Sequence, residues 1–354
     1  MFPALEINLS AIEENAKRVA EFCTSYGINV VGITKGACGE PKVAKAILRG
    51  GVQILGDSRI QNIMKMKESN VKAEFMLIRS PMISEVESVV KYAEYSLNSE
   101  LKVLEQLSKA SLEYGKRHKV IIMVDVGDRR EGIMPNEFVP FLKEAKKLEG
   151  VEIVGVGTNL GCFGGVLPTP KNHEMLKKLT EKVKYILGIE NPIISSGGTV
   201  VLNLLEGEQS SYGINQLRIG EGILLGTDST GNRTIPWLRQ DTFTLKAEII
   251  EVKWKPSLPE GPVGKDAFGN TPIFQDLGIR KRAILALGKQ DTEINGLFPL
   301  SNGIEVLGGS SDHTIIDITE SKVPLEVGDT VKFKLSYSAM LRGMTSPYVH
   351  KAYI

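Results

Sequence analysis

The sequence lacks the features that would point to a polyanion, a membrane or a bound metal. Its 43 basic and 42 acidic side chains leave a formal charge of +1, and no basic cluster is long enough for a nucleic-acid or lipid footprint. No apolar run approaches the ~18 residues of a membrane span, and the first residues carry no signal-peptide pattern. The expected location is therefore the cytoplasm. Three cysteines, Cys23, Cys38 and Cys162, are odd in number and far apart, which excludes a disulfide framework or a paired-cysteine zinc site. Four histidines, His118, His173, His313 and His350, are equally scattered, so no metal site is expected. Tandem repeats and low-complexity segments are absent. What remains is a folded chain whose partner is a small molecule.

With 354 residues, 42% hydrophobic and 24% charged, the chain can build one large domain and a smaller one. Ser10-Ala11-Ile12-Glu13 has the form of a capping box and predicts a helix over 10–25. A single theme then repeats: a short apolar strand, a polar tip, an amphipathic helix. Strands are expected near 29–34, 53–56, 74–78, 95–97, 120–124, 152–157, 192–195 and 216–219. About eight such units, with no G-x-G-x-x-G in the first turn, favour a (β/α)8 TIM barrel over a doubly wound sheet. Beyond residue 235 the pattern alternates, as in 243–254, 282–288, 313–318 and 329–337, which predicts an antiparallel β domain. The expected division is 1–235 for the barrel and 236–354 for the β domain, with residues 1–9 able to join the latter through a strand over 5–8.

A barrel of this kind collects its chemistry at the carboxyl ends of its strands. The first tip raises a question, because the buried-looking run Val30-Val31-Gly32-Ile33-Thr34 delivers Lys35. Ser195-Ser196-Gly197-Gly198, before a helix, and Gly220-Glu221-Gly222, after Arg218, have the hydroxyls and open N–H groups that suit a phosphate. A lysine facing a phosphate subsite fits Schiff-base chemistry with an aldehyde cofactor, pyridoxal 5'-phosphate.

The order of these motifs resembles the alanine-racemase-like, fold-type III pyridoxal-phosphate enzymes over nearly the whole chain, and among them the ornithine racemases. The resemblance implies that Lys35, in "VVGITKGACG", binds the cofactor covalently and then acts as one catalytic base. It implies that Arg218, in "LRIGEG", faces the pyridine nitrogen while the N–H groups of Gly220 and Glu221 hold phosphate. Ser196 and Gly197, in "SSGGT", and Tyr337, in "KLSYSAM", fall at phosphate-binding positions. Arg130, in "VDVGDRREG", corresponds to an arginine near the substrate carboxylate. Ser311, Asp312 and His313, in "GGSSDHTIIDI", match the segment that reaches the neighbouring subunit's site, so a homodimer is implied.

Three positions depart from the alanine racemase pattern. Asn159 stands where a histidine lies beside the cofactor ring, Lys289 stands where the opposite-face tyrosine is expected, and the tyrosine of the lysine motif is missing around Cys38-Gly39. Racemisation needs a base on each face of a planar carbanion. Lys289 is the first candidate for the second base and His313 its rival, with a pKa near neutrality when unperturbed. A diamino acid would also bring a distal ammonium that needs a carboxylate, Asp312 first and Asp57, Asp228 or Glu221 after it. The reading is a homodimeric racemase of ornithine. Its alternatives are a racemase of lysine, alanine or serine, a cofactor-binding protein without turnover, and a decarboxylase or aldolase of the same fold.

Overall fold

The computed structural model describes residues 1–208 and 210–354. The chain forms two compact units, one of Leu9–Gln240 and one of Met1–Asn8 with Asp241–Ile354. It opens on strand β1 (Ala4–Ile7) and helix α1 (Leu9–Thr24). Helix α1 starts one residue before Ser10, so Ser10 lies in the first turn rather than at the cap position that the sequence suggested. Asn8, itself a favoured cap residue type, precedes the helix.

The larger unit is a closed barrel of eight parallel strands. They are β2 (Asn29–Ile33), β3 (Ile54–Asp57), β4 (Glu74–Leu77), β5 (Tyr95–Asn98), β6 (His118–Met123), β7 (Val151–Gly157), β8 (Ile193–Gly197) and β9 (Gln216–Ile219). Helices α2 (Pro41–Arg49), α3 (Ile60–Glu68), α4 (Val86–Tyr92), α5 (Leu101–Glu113), α6 (Phe138–Ala145), α7 (Pro170–Leu187) and α8 (Val201–Glu208) connect them, and the short α9 (Glu221–Leu225) follows β9. Local chemistry sets these boundaries. In α7, the Thr169 hydroxyl accepts from the Asn172 N–H, Pro170 occupies the first turn, and Gly188 ends the helix at φ 72°.

Side chains alternate across each strand, and Val31, Ile33, Met76, Leu97, Ile121 and Met123 fill the interior. Register carries this parity around the barrel, since Val31 lies opposite Arg218 and Arg218 opposite Gly197. Odd-numbered residues of β2 and β8 therefore face inward and even-numbered ones face the helices, while in β7 the register shifts between Ile153 and Gly155, so that Val154 as well as Gly155 and Gly157 lies on the inner side. After α9, a two-strand turn pairs β10 (Thr227–Asp228) with β11 (Arg233–Thr234).

The barrel unit runs to Gln240 rather than 235. The cause is Asn15, a fully buried amide on α1. It donates to Ile223 O and Arg239 O and accepts from the Arg239 N–H, tying the last residues of the unit down.

The smaller unit holds an eight-stranded sheet. Its further strands are β12 (Phe243–Pro256), β13 (Ile279–Leu285), β14 (Leu297–Pro299), β15 (Glu305–Gly309), β16 (Thr314–Asp317), β17 (Thr330–Leu335) and β18 (His350–Tyr353). Phe243, Leu245, Ala247 and Ile249 are buried in strict alternation, as an amphipathic strand requires. Strand β1 lies here, antiparallel to β12 and parallel to β18. The strand read over 329–337 ends at Leu335, because the Ser336 hydroxyl caps helix α10 (Tyr337–Thr345) by accepting from the Ala339 N–H. Among the described residues no helix is long and apolar enough to cross a membrane.

Candidate active site

Lys35 leaves the end of β2 in a single 3-10 turn, Lys35–Ala37, closed by the Cys38 N–H on Lys35 O. Burial lowers the basicity of its ammonium, and the nearby Arg130 cation acts in the same direction. Cys162, Asp57 and Glu131 oppose them. The turn is fixed from below by Asp57, which is fully buried on the helix-facing side of β3. Its carboxylate accepts from the Thr34 hydroxyl at 2.7 Å, the Arg59 N–H at 2.9 Å and the Asn62 amide at 2.9 Å. Gly39 packs so closely on Asn62 that a Cβ there would overlap it.

Arg218 points into the barrel with 5% of its surface exposed. Its guanidinium donates to Thr158 O at 2.6 Å and to Ser195 Oγ, which in turn donates to Gln216 Oε1 at 2.8 Å. Those partners are uncharged, and burial brings the pKa down to about 10. Gly197 lies beside it: a Cβ there would fall 2.8 Å from Arg218 Nη2 and closer still to Asn159 Oδ1. Asn159, Gly197 and Arg218 thus form one contiguous inward wall. Next to it, the Thr199 hydroxyl accepts from the Gly222 N–H at 3.0 Å, linking the loop after β8 to the start of α9. The N–H of Glu221 belongs to the first turn of α9 and has no acceptor within the helix.

The loops after β6 and β7 meet above this wall. Asp128, 2% exposed, accepts the N–H groups of Cys162, Phe163 and Val166 and holds the two loops together. From them project Arg130, Glu131 and Cys162. Glu131 grips Arg130 through both Nε and Nη2, and Arg130 Nη1 reaches Cys162 Sγ at 2.8 Å. Glu131 and Cys162 were not singled out from the sequence for this site. Loop residues carry no periodicity, and the one available signal for Glu131 was a carboxylate directly after two arginines.

Several expectations need correction. Ser196 is on the helix-facing parity of β8, fully buried, with its hydroxyl 3.0 Å from His173 Nε2 on α7, so the inward hydroxyl of this strand is that of Ser195. The Glu221 carboxylate is taken by Thr227 and Ser229. Asp228 is buried against the Gly231 N–H and Arg233. Asp57 is likewise committed to its own strand-end loop.

In the smaller unit, four residues named from the sequence come together. Lys289 and Gln290 donate their N–H groups to the carbonyls of Ser310 and Ser311, so the Lys289 loop is laid along Ser311, Asp312 and His313. The Lys289 ammonium sits 3.9 Å above the Phe268 ring and 3.9 Å from Asp266 Oδ2. The Ser311 hydroxyl, with His313 Nδ1 at 3.2 Å, holds Asp312 below the usual carboxylate range. Tyr337 is half-buried at the first position of α10.

A half-buried lysine of depressed basicity, a glycine wall against a buried guanidinium, and open N–H groups at the strand ends suit a flat aldehyde cofactor that carries a phosphate. Among the described residues no cluster of His, Cys, Asp and Glu is arranged for a metal ion. Residues 7–228 match the family model described as alanine racemase, N-terminal domain. A lysine racemase of Thermotoga maritima is 46% identical over 100% of this chain and 99% of its own. An ornithine racemase of Acetoanaerobium sticklandii is 42% identical over 99% of both chains. The fold is that of the alanine racemase from Streptomyces lavendulae, at a TM-score of 0.76 with 16% identity, covering 99% of this chain and 96% of that one. The chain therefore belongs to the alanine racemase family and is an amino-acid racemase that uses pyridoxal 5'-phosphate.

Proposed function

We propose that this racemase interconverts the enantiomers of a free diamino acid, ornithine or lysine, and works as a homodimer. The observation that carries the substrate class is the whole-length likeness to chains named for those two amino acids. Ornithine is the substrate expected from the sequence motifs, and the 46% identical relative favours lysine as a second reading.

Bound pyridoxal phosphate supplies the electron sink that makes the Cα proton of an amino acid acidic. Lys35 holds the cofactor covalently and, once released, takes or returns the Cα proton on one face. Its lowered basicity keeps a share of free amine available for that transfer. Arg218 would face the pyridine nitrogen, and because a guanidinium does not give up its proton readily the sink would stay moderate and side reactions would be disfavoured. Asn159 would stand beside the ring, while Gly197, the N–H groups of Gly220 and Glu221, and Tyr337 would hold the phosphate. Ser196 contributes to that subsite only through its backbone. Arg130 binds the substrate carboxylate. Lys289 of the second protomer is the base for the other face, with His313 in reserve, and Ser311 and Asp312 take the polar end of the side chain.

The test is to incubate holoenzyme with single enantiomers of ornithine, lysine, alanine and serine, following optical rotation and deuterium uptake at Cα. Loss of rotation with ornithine or lysine and not with alanine or serine is the expected result, and the faster of the two names the substrate. Equal rates with alanine would refute the assignment to diamino acids.

A further inference from the structure

We infer that Glu131 is the positioning residue that aims Arg130 at the carboxylate of the substrate. The inference rests on the proposed role of Arg130 and adds the part played by its neighbour. A guanidinium carries five N–H bonds: one on Nε and two on each Nη. Glu131 takes the Nε proton and one on Nη2, and Cys162 Sγ takes one on Nη1. One N–H remains on each Nη. Two adjacent donors are what a carboxylate accepts in its bidentate pairing with arginine. Glu131 holds the Nε side of the guanidinium and Cys162 touches Nη1, which leaves two N–H donors for a ligand.

The surroundings give this arrangement a purpose. Arg130 stands on a loop after β6, and a long side chain there has many rotamers to choose from. Asp125 and Asp128 fix the backbone of the loop through the N–H groups of Gly127, Arg129, Cys162, Phe163 and Val166. Among the described residues, Glu131 and Cys162 alone fix the guanidinium itself. The charge of Glu131 also matters, because the mouth collects three cations, Lys35, Arg130 and Arg218, and this carboxylate acts on all of them. A merely structural role would predict something different. Arg130 and Glu131 keep 34% and 26% of their side-chain surface exposed, and an exposed pair between sequence neighbours adds little to stability.

The test is a double-mutant cycle in the holoenzyme with Glu131→Gln and Arg130→Ala, reading kcat, KM and the dissociation constant of acetate as a carboxylate probe. Glu131→Gln should raise KM and weaken acetate on the order of tenfold or more, with kcat changed less and thermal unfolding almost unmoved. In the Arg130→Ala background the same change should have no further effect, because the group it positions is gone. Glu131→Asp, which keeps the charge and shortens the reach, should fall between wild type and Glu131→Gln. Arg130→Ala impaired beside a Glu131→Gln enzyme of wild-type KM and acetate affinity overturns the inference and spares the role of Arg130. Arg130→Ala with unchanged KM and acetate affinity overturns both.

Discussion

Lowering the pH should weaken the barrel through two buried histidines. His118, at the start of β6, and His173, on α7, are 2% and 1% exposed, and each shares a hydrogen bond with a strand serine, Ser96 at 2.8 Å and Ser196 at 3.0 Å. Burial brings both pKa values down from 6.5 to about 4. Between those limits the unfolded chain binds more protons than the folded one. Their contribution to stability is therefore intact above pH 6.5 and is lost as the pH falls towards about 4. A shift of this size is worth at most ~3.4 kcal/mol per histidine; at about pH 4.5 about 2.5 kcal/mol of it is realised, or about 5 kcal/mol for the pair. Urea unfolding of the apoprotein at pH 7 and about pH 4.5 measures this. Trp237, whose ring centroid is 5.1 Å from that of Phe22, reports on the barrel unit. The variant His118→Gln/His173→Gln starts lower at pH 7, since two buried hydrogen bonds are disturbed, but should lose about 5 kcal/mol less than wild type on acidification. Parallel losses in the two proteins would refute the reasoning.

The site itself yields three further expectations. Gly197→Ala should displace Asn159 and Arg218, costing about 1–3 kcal/mol in stability and weakening the binding of added cofactor, read by fluorescence titration of the apoprotein. Asp57→Ala leaves the Thr34, Arg59 and Asn62 donors without their acceptor, which costs about 1–3 kcal/mol after the relief of a desolvated carboxylate. It also removes an anion that favours the Lys35 ammonium, so the pH midpoint for chemical labelling of Lys35, followed by mass spectrometry, should fall. Lys289→Ala should reduce racemisation by about 10²–10⁴-fold while one enantiomer still exchanges its Cα proton for deuterium. Mixing this variant with Lys35→Ala should restore roughly a quarter of the activity if each site draws one base from each protomer of a dimer.

The barrel was legible because its strands are short apolar runs whose tips change character abruptly, and Lys35 stood out as a charge at the end of such a run. Side-chain direction was harder to read. Ser195 and Ser196 are chemically identical and adjacent, and only the register Ser195 to Gln216 and Gly197 to Arg218 assigns one hydroxyl to the interior and the other to His173. Glu131 escaped for a related reason, since its role depends on where two loops meet. At the carboxyl end, β17 and α10 merged into one apparent strand because Leu335 and Tyr337 preserve the alternation across Ser336, while the cap that breaks it is a single hydrogen bond to Ala339. Strand β18, only four residues long, gave no signal strong enough to separate it from a loop.

The position of β1 has a consequence for biogenesis. Leu5 pairs with Leu245 and Lys351, so this strand is made before the whole barrel and finds its neighbours only after the barrel has left the ribosome. Until then it is an apolar segment with both edges unpaired, the condition in which strands recruit the wrong partner. The barrel, whose strands each pair with near neighbours in sequence except where β9 meets β2, can close in the meantime. Completion of the sheet is therefore a late stage in the synthesis of this chain, since β1 must wait for β12 and β18.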